Sequence, residues 1–201
     1  MATNEQTISL PKKIRLFIAV NLPASLKHGI GDVQREMMVR VHEGAVRWTR
    51  SDQLHITLKF LGYITGSDVS EVQNALHSAC DGVSKLELCA EGLGCFPSAK
   101  RPRVIWTGIK GEVAPLSELQ KRIENATAQW AEPEKREFTP HLTVGRVKEA
   151  RRKDLDAIGK FVEANRANRF GNWPVEQVDL MQSVLSSSGP TYRCLSSVRL
   201  R

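Results

Sequence analysis

The sequence predicts an α+β protein of two pseudo-symmetric lobes, each a mainly antiparallel sheet backed by helices, with a central cleft between them. Two observations lead to this prediction. Strand-like and helix-like segments follow one another in two comparable sets along the chain. Each set also contains one copy of the pattern His-x-Thr, first at His55 and Thr57 and then at His141 and Thr143.

The predicted strands are short apolar runs, several of which alternate with polar residues. The first, 14–20, is mostly apolar and is typical of a buried strand. The turn-prone residues 50–52 separate the next two. The other predicted strands are 46–49, 54–61, 86–95, 104–109, the strand that contains His141, 175–185 and 192–200.

Four amphipathic helices are predicted from apolar residues that recur at spacings of three or four. Pro23 suits the first turn of the first helix, and Ser67 or Asp68 is expected to cap the second. The apolar stripes are Leu26, Ile30, Val33 and Met37; Val69, Val72, Leu76 and Ala79; Leu116, Leu119, Ile123 and Trp130; and Leu155, Ile158 and Val162.

The composition is that of a soluble globular protein, with 201 residues of which 41% are hydrophobic and 25% charged. Residues 1–13 are expected to form a mobile tail, and residues 14–201 a single bilobal domain. The opening residues lack the apolar core of a signal peptide, and no apolar run is long enough to span a membrane. We expect a monomer that does not associate with membranes.

Charge and cysteine usage indicate the partner and the compartment. A formal net charge of +7 favours a polyanionic partner such as RNA or a nucleotide. The four cysteines show no Cys-x-x-Cys spacing. We therefore expect buried, reduced thiols in a cytoplasmic protein, with neither a metal site nor a cofactor.

The two His-x-Thr segments suggest a catalytic pair. In a strand, side chains alternate between faces, so each imidazole lies on the same side as its hydroxyl while the intervening residue points the other way. Two imidazoles can act as acid and base near neutral pH, and two hydroxyls can donate to phosphoryl oxygens. The alternative is a pair of surface strands with incidental polar faces.

This set of side chains meets the needs of cyclic phosphodiester hydrolysis. That reaction requires a base for water, an acid for the departing ribose oxygen and donors for the phosphoryl oxygens. Attack and departure are roughly in line, so the two imidazoles must flank the phosphorus from opposite sides. The residues alone leave open which histidine is the acid.

The segments 54–62 and 139–146 closely resemble the two-histidine phosphoesterases, in particular the RNA 2′,3′-cyclic phosphodiesterases once named 2′-5′ RNA ligases. The segments 15–20 and 46–48 extend the resemblance over nearly the whole chain from residue 14. It implies a bilobal fold and metal-independent hydrolysis to a 2′-phosphate. It also implies that His55 is the proton donor and His141 the proton acceptor.

Arg146 matches a phosphate-binding arginine of that family. Strict alternation from His141 turns it away from the cleft, unless Gly145 permits a bulge that turns it inward. Without such a bulge, Arg146 would be a surface residue at a strand end.

Four further residues are candidate contacts for a base or for the RNA backbone. Phe17 and Trp48 are candidates for stacking on a base, although Phe17 is equally compatible with a core position. Arg101 and Arg103, in an expected loop before the 104–109 strand, are candidates for phosphate contacts.

Two other functions are compatible with these residues. The same chemistry run in reverse would join a cyclic end to a 5′-hydroxyl, which is 2′-5′ RNA ligation. A non-catalytic RNA- or nucleotide-binding module is the second alternative, although phosphate binding alone does not require two proton carriers.

Overall fold

The computed structural model describes residues 13–186 and 189–201. Within these ranges the chain forms four α-helices and one curled antiparallel sheet of nine strands, which confirms the predicted fold class. The strands are β1 Lys13–Asn21, β2 Val46–Trp48, β3 His55–Thr65, β4 Leu86–Ser98, β5 Arg101–Gly111, β6 His141–Val147, β7 Arg169–Val175, β8 Gln177–Ser186 and β9 Gly189–Arg199. The helices are α1 Ala24–Met38, α2 Val69–Cys80, α3 Val113–Ala126 and α4 Arg152–Ala164.

The sheet has two halves that meet at its centre. Its strand order is β7-β4-β5-β6-β3-β1-β8-β9, and β2 pairs with the end of β6. The halves are joined where Ile56 of β3 pairs with Leu142 of β6. The centre of the sheet therefore lies between the two His-x-Thr strands.

One face of the sheet packs against all four helices and forms the main core. Ile56, Leu58, Leu142 and Val144 point into this core and are 0–3% exposed. The opposite face carries His55, Thr57, His141 and Thr143, all half-buried, and we call it the cleft face. A small second cluster of Phe17, Ala19 and Met181, with Tyr192 packed against it, also lies on the cleft face.

Several predicted boundaries were wrong. The tail prediction for residues 1–13 lies outside the described residues except for Lys13, which begins β1. Arg101 and Arg103 lie in β5 rather than in a loop, because β4 and β5 form a tight hairpin. Trp130 lies beyond the end of α3 and packs against the core from the following turns. Strand β7 was not predicted, since its Gly171 and Pro174 interrupt the apolar pattern.

The second helix begins where predicted, but without the expected cap. Asp68 occupies the N-cap position and makes no side-chain hydrogen bond to the helix. The Ser67 hydroxyl instead donates to the Asp68 carboxylate at 3.0 Å. A single 3-10 turn, Gly66–Asp68, leads into the helix in place of a capped start.

The start of α4 is held by a buried carboxylate, Asp154. It accepts hydrogen bonds from the backbone amides of His42 (3.0 Å) and Arg151 (2.8 Å), and it pairs with Nδ1 of His42 at 2.8 Å. Burial alone raises the pKa of Asp154, but these hydrogen bonds outweigh it and lower the pKa to about 2. Asp154 therefore ties α4 to the segment between α1 and β2.

The cysteine prediction is correct for three of the four thiols. Cys80, Cys89 and Cys95 are free and buried, whereas Cys194 is free and exposed. Burial raises the pKa of Cys80 and of Cys95 to about 11, so both stay protonated near neutral pH.

Candidate active site

The pairing of β3 with β6 brings the two motifs together. The strands are antiparallel and Ile56 faces Leu142, so the residues on either side of this pair also face each other. His55 lies across from Thr143, and Thr57 lies across from His141. The two imidazoles therefore occupy opposite corners of a four-residue arrangement, and the two hydroxyls occupy the other corners. This is the flanking geometry that in-line displacement at a central phosphorus requires.

Both imidazoles are oriented in the same way by the backbone. Nδ1 of His55 donates to the carbonyl of Gln53 at 2.7 Å, and Nδ1 of His141 donates to the carbonyl of Thr139 at 2.8 Å. A carbonyl oxygen can only accept, so Nδ1 carries the hydrogen in each ring. Nε2 is therefore the nitrogen that gains or loses a proton in both residues. In His55 this atom lies 3.0 Å from the Thr57 hydroxyl.

The pKa of His55 is lowered from its ordinary value. Burial is the largest cause, and the positive charges of His141 and Lys27 add to it, while the hydrogen bond to Gln53 opposes it. A positive charge on one imidazole therefore disfavours a positive charge on the other. A bound phosphate would offset this repulsion and raise the pKa of His55 again.

Aromatic rings support each imidazole. The ring of Phe17 lies 4.9 Å from that of His55, and Tyr192 contacts His55 edge-on at 5.4 Å. On the other side, Phe96 meets His141 edge-on at 5.2 Å, with Trp106 at 6.5 Å. Phe17 is only 3% exposed, so the structure favours the packing alternative over base stacking for this residue.

Trp106 can lie beside His141 because of a glycine on the neighbouring strand. Gly94 faces Trp106 across β4 and β5, and a Cβ atom at Gly94 would come within 2.2 Å of the indole ring. Any other residue at this position would therefore displace Trp106 from its place beside the cleft.

Strand β6 contains the bulge on which the Arg146 prediction depends. Opposite β5, Ile105 pairs with Gly145 and the next residue, Trp106, pairs with Thr143, so Val144 is the extra residue. The bulge directs Gly145 toward the core, where a Cβ atom would come within 2.7 Å of the Val46 side chain. Arg146 is consequently exposed on the cleft face, as the bulge alternative predicted.

Strand β3 has the same bulge at the equivalent position. Opposite β1, Ile18 pairs with Lys59 and Ala19 pairs with Thr57, so Leu58 is the extra residue. Phe60, like Arg146 five residues after its histidine, lies on the cleft face near Phe17 and is 59% exposed. Both halves of the sheet thus use one bulge to turn this residue toward the cleft.

Strict alternation from His55 would place Lys59 on the cleft face, but the bulge changes the face to which it points. The bulge turns Lys59 into the core side, where its ammonium pairs with the Glu124 carboxylate at 2.5 Å and donates to the Ala131 carbonyl at 3.2 Å. The Lys59 side chain is 2% exposed. Lys59 therefore serves the packing of α3 on the sheet and does not reach the cleft.

A buried glutamine holds each bulge. In α1, Nε2 of Gln34 donates to the carbonyls of Val144 (2.9 Å) and Thr49 (2.8 Å). In α3, Nε2 of Gln120 donates to the carbonyl of Leu58 at 3.3 Å. Both glutamines are 7% exposed. In each half of the molecule, a helix behind the sheet therefore supplies a glutamine that holds the backbone carbonyl three residues after the motif histidine.

Two further arginines lie on the cleft face. Arg47 of β2 pairs directly with Arg146 of β6, and Arg15 of β1 lies two residues before Phe17. Burial raises the pKa of Tyr192, and the charges of Arg15, Arg146 and Arg47 partly oppose this rise. All three arginines therefore add positive charge to the cleft face.

The remaining predicted contacts are less central. Trp48 pairs with Gly145 and packs against the main core, on the side of the sheet opposite Arg47. Arg101 and Arg103 are exposed at the start of β5, just before Val104, which pairs with Arg146. They lie beside the end of the cleft rather than among the four motif side chains.

Among residues 13–186 and 189–201, no three His, Cys, Asp or Glu side chains lie close enough together to share a metal ion. Over the same residues, no helix is long and apolar enough to cross a membrane.

A sequence model of the 2′-5′ RNA ligase superfamily matches residues 30–185. The chain belongs to this superfamily. This finding confirms the family resemblance predicted from the two motifs. The matched residues include both His-x-Thr strands.

Similarity to known proteins covers most of the chain. A Methanothermobacter thermautotrophicus protein named RNA 2′,3′-cyclic phosphodiesterase is 29% identical, over 94% of this chain and 100% of its own length. An Aeropyrum pernix protein of the same name is 35% identical, over 79% of this chain and 89% of its own. A solved structure from Thermus thermophilus has a TM-score of 0.74 and 25% identity, and covers 94% of this chain and 98% of its own.

Sequence reasoning missed several residues that the fold brings to the cleft. Tyr192, Phe96 and Trp106 contact the histidines from strands remote in sequence. Arg47 pairs with Arg146, and Arg15 lies on the same face of β1 as Phe17. The only local signal for Arg15 and Arg47 is that each is a lone charge in a strand-like run, and no local signal existed for the aromatic residues.

Proposed function

We propose that this superfamily member hydrolyses 2′,3′-cyclic phosphate ends of RNA or nucleotides to 2′-phosphates. The observation that carries the proposal is the arrangement of two imidazoles at opposite corners, each with Nδ1 held by a carbonyl and Nε2 available for proton transfer. The names of the relatives agree with the activity that the sequence predicts.

In the proposed reaction, Nε2 of His141 accepts a proton from the attacking water. The water oxygen forms a bond to phosphorus while the bond from phosphorus to the ribose 3′ oxygen breaks. Nε2 of His55 donates its proton to that departing oxygen, which leaves a 3′-hydroxyl and a 2′-phosphate. Because the pKa of His55 is lowered in the free protein, binding of the anionic phosphate favours the protonated form that this role requires.

The hydroxyls and Arg146 complete the proposed phosphate site. Thr57 and Thr143 occupy the two remaining corners, from which they donate to phosphoryl oxygens as negative charge develops. Arg146 provides a permanent positive charge on the same face. Neither proton transfer needs a metal ion or cofactor, because an imidazole performs each one.

The proposal extends to the state of the protein. Residues 14–201 act as one bilobal catalytic unit, since each half of the sheet contributes one acid–base residue. The enzyme works as a monomer, because both motifs come from one chain. We place it in the cytoplasm, where the free thiols of its four cysteines stay reduced.

Phosphorus NMR of a 2′,3′-cyclic nucleotide incubated with the protein in EDTA tests this function. We expect a single new 2′-phosphate resonance. Tight binding without turnover would instead identify a non-catalytic module. Joining of the cyclic end to an RNA 5′-hydroxyl, without hydrolysis, would identify a ligase. Water competes with that hydroxyl in any site that does not exclude it, so we expect hydrolysis to dominate.

A 3′-phosphate product would contradict the assignment of His55 to the 3′ oxygen. Loss of turnover in EDTA with recovery on adding a divalent metal would contradict the two-histidine mechanism itself.

A further inference from the structure

The two motif imidazoles are held by backbone carbonyls whose own positions are fixed in different ways. Thr139, which holds His141, precedes Pro140, and a residue before proline is restricted to extended backbone. Gln53, which holds His55, is followed by a leucine instead. The carbonyl of Gln53 therefore needs another constraint if it is to orient its histidine as firmly.

The turn before β3 supplies only part of that constraint. Gln53 ends the single 3-10 turn Ser51–Gln53, and its amide donates to the carbonyl of Arg50 at 2.9 Å. The amide of Leu54 donates to the carbonyl of Ser51 at 3.4 Å, which is a long hydrogen bond. Both hydrogen bonds end on other carbonyls, so the turn by itself does not fix the direction of the Gln53 carbonyl.

The side chain of Gln53 supplies the missing constraint. Its Nε2 donates to the backbone carbonyl of Pro190, which lies 137 residues further along the chain, at the start of β9. Strand β9 pairs with β8 over its whole length, so this carbonyl is an acceptor held by the sheet. The hydrogen bond therefore anchors the half-buried Gln53 to a second, remote part of the fold.

The same stretch of β9 also contacts the imidazole itself. Tyr192 lies two residues after Pro190, and its ring meets that of His55 edge-on at 5.4 Å. The Tyr192 ring also packs edge-on against Phe17 at 4.9 Å, which holds it in place. The start of β9 thus contacts both His55 and the residue that orients it.

We propose that Gln53 is a positioning residue for His55, because its side chain ties the turn before β3 to the start of β9 and so fixes the carbonyl that accepts from Nδ1. Held in this way, the imidazole keeps its hydrogen on Nδ1 and directs Nε2 toward the cleft. The inference rests on the proposed function in that His55 is the proton donor there. His141 does not depend on such a tie, since Pro140 restricts the backbone of Thr139.

Nitrogen-15 NMR of the histidine side chains tests this role without any substrate. At a pH where both imidazoles are neutral, correlations between the ring nitrogens and the carbon-bound ring protons show which nitrogen carries the hydrogen. We expect the wild-type protein to carry it on Nδ1 in both His55 and His141. In Gln53→Met, which keeps the length of the side chain but removes its donor, His55 should become a mixture of the two forms while His141 stays unchanged.

Two further variants separate this role from the general effect of a changed side chain. Gln53→Lys keeps an N–H donor that can reach the Pro190 carbonyl, so we expect it to restore the wild-type form of His55. Gln73→Met is the matched control, because Gln73 is a half-buried glutamine of α2, behind the sheet. It should leave both histidines unchanged.

The kinetic effect follows from the same contact. On a nucleoside 2′,3′-cyclic phosphate, Gln53→Met should lower kcat by about three- to tenfold, the size of effect that one hydrogen bond gives. KM should change by less than about twofold, because the motif threonines and Arg146 still bind the phosphate. Gln73→Met should change neither value.

A Gln53→Met variant in which His55 keeps its hydrogen wholly on Nδ1 would overturn the positioning role, even if the variant unfolds more easily. Equal changes in His55 and His141 would also overturn it, since the substitution would then loosen the whole site. A wild-type protein without turnover would instead refute the proposed function, and the NMR comparison would still decide whether Gln53 orients His55.

Discussion

Replacement of Gln34 by methionine tests whether the bulge in β6 positions Arg146. Methionine fills a similar volume but cannot donate to the carbonyls of Val144 and Thr49. Arg146 lies two residues beyond Val144 and faces the cleft because of the bulge. We expect this change behind the sheet to weaken the contact between Arg146 and the substrate phosphate.

The structure gives the expected magnitudes. Two hydrogen bonds are lost at about 0.5–1.5 kcal/mol each, so the free energy of unfolding should fall by about 1–3 kcal/mol. The Val144 carbonyl keeps the Thr49 amide as a donor at 3.0 Å, which limits the loss. A hydrogen bond from a charged group contributes about 1.5–3 kcal/mol, so complete loss of the Arg146 contact would lower kcat/KM by roughly 10–100-fold.

The assay is a double-mutant cycle with Arg146→Ala, scored by kcat/KM on a cyclic-ended dinucleotide and by urea unfolding. If Gln34 acts through Arg146, Gln34→Met should change kcat/KM by less than about twofold in the Arg146→Ala background. Gln120→Met is the matched control, because Gln120 holds the equivalent carbonyl of Leu58 in the other half. It should lower stability, and its effect on kcat/KM should add to that of Arg146→Ala.

Two results would refute this reasoning. One is a Gln34→Met variant that unfolds more easily but keeps wild-type kcat/KM. The other is an equal loss of kcat/KM with and without Arg146, since the glutamine would then act on the whole strand.

The remaining predictions concern the motif residues and Asp154. Alanine at His55 or His141 should lower kcat by roughly 10²–10⁴-fold with little change in substrate binding, and the double variant should lose less than the product of the two; near-wild-type turnover from either single variant would contradict the assignment. Valine at Thr57 or Thr143 should lower kcat by about 10–10³-fold while thermal melts show an intact fold; an unchanged kcat would remove that hydroxyl from the mechanism. The profile of kcat/KM against pH should be bell-shaped, and because the pKa of His55 is lowered, the alkaline limb should lie at lower pH than an unperturbed histidine would give. In the profile of kcat against pH, the alkaline limb should lie at higher pH, because bound phosphate favours protonated His55. A wild-type profile with a single limb would contradict the acid–base pair. The pKa of Asp154 lies at about 2 against an ordinary 3.8, so its contribution to stability is present above 3.8 and is lost as the pH falls toward 2. Acid unfolding of Asp154→Asn should show a weaker pH dependence in that range, and an unchanged dependence would assign acid sensitivity to other carboxyls.

Local patterns in the sequence were sufficient for much of the fold and for the four motif side chains. The spacing of Leu26, Ile30, Val33 and Met37 predicted α1, and all four residues are buried against the sheet. Alternation correctly assigned His55 and Thr57 to one face and Ile56 to the other, as it did for the second motif. These properties depend on residues within one helical turn or a few strand positions, so periodicity reveals them.

Only the tertiary structure decided what surrounds those side chains. Lys59 and Arg146 each lie just beyond a bulge, and a bulge is a mismatch in register between two strands that no single strand encodes. For the same reason Gln34, which holds one bulge, reads in the sequence only as a polar residue in an amphipathic helix. Tyr192 reaches His55 because β9 folds back beside β8 in the curled sheet. The sequence by itself determined which groups can exchange protons, because this depends on residue type and strand alternation. The fold decided their opposite-corner arrangement, the lowered pKa of His55 and the pairing of Arg47 with Arg146, because each of these arises from contacts between segments far apart along the chain.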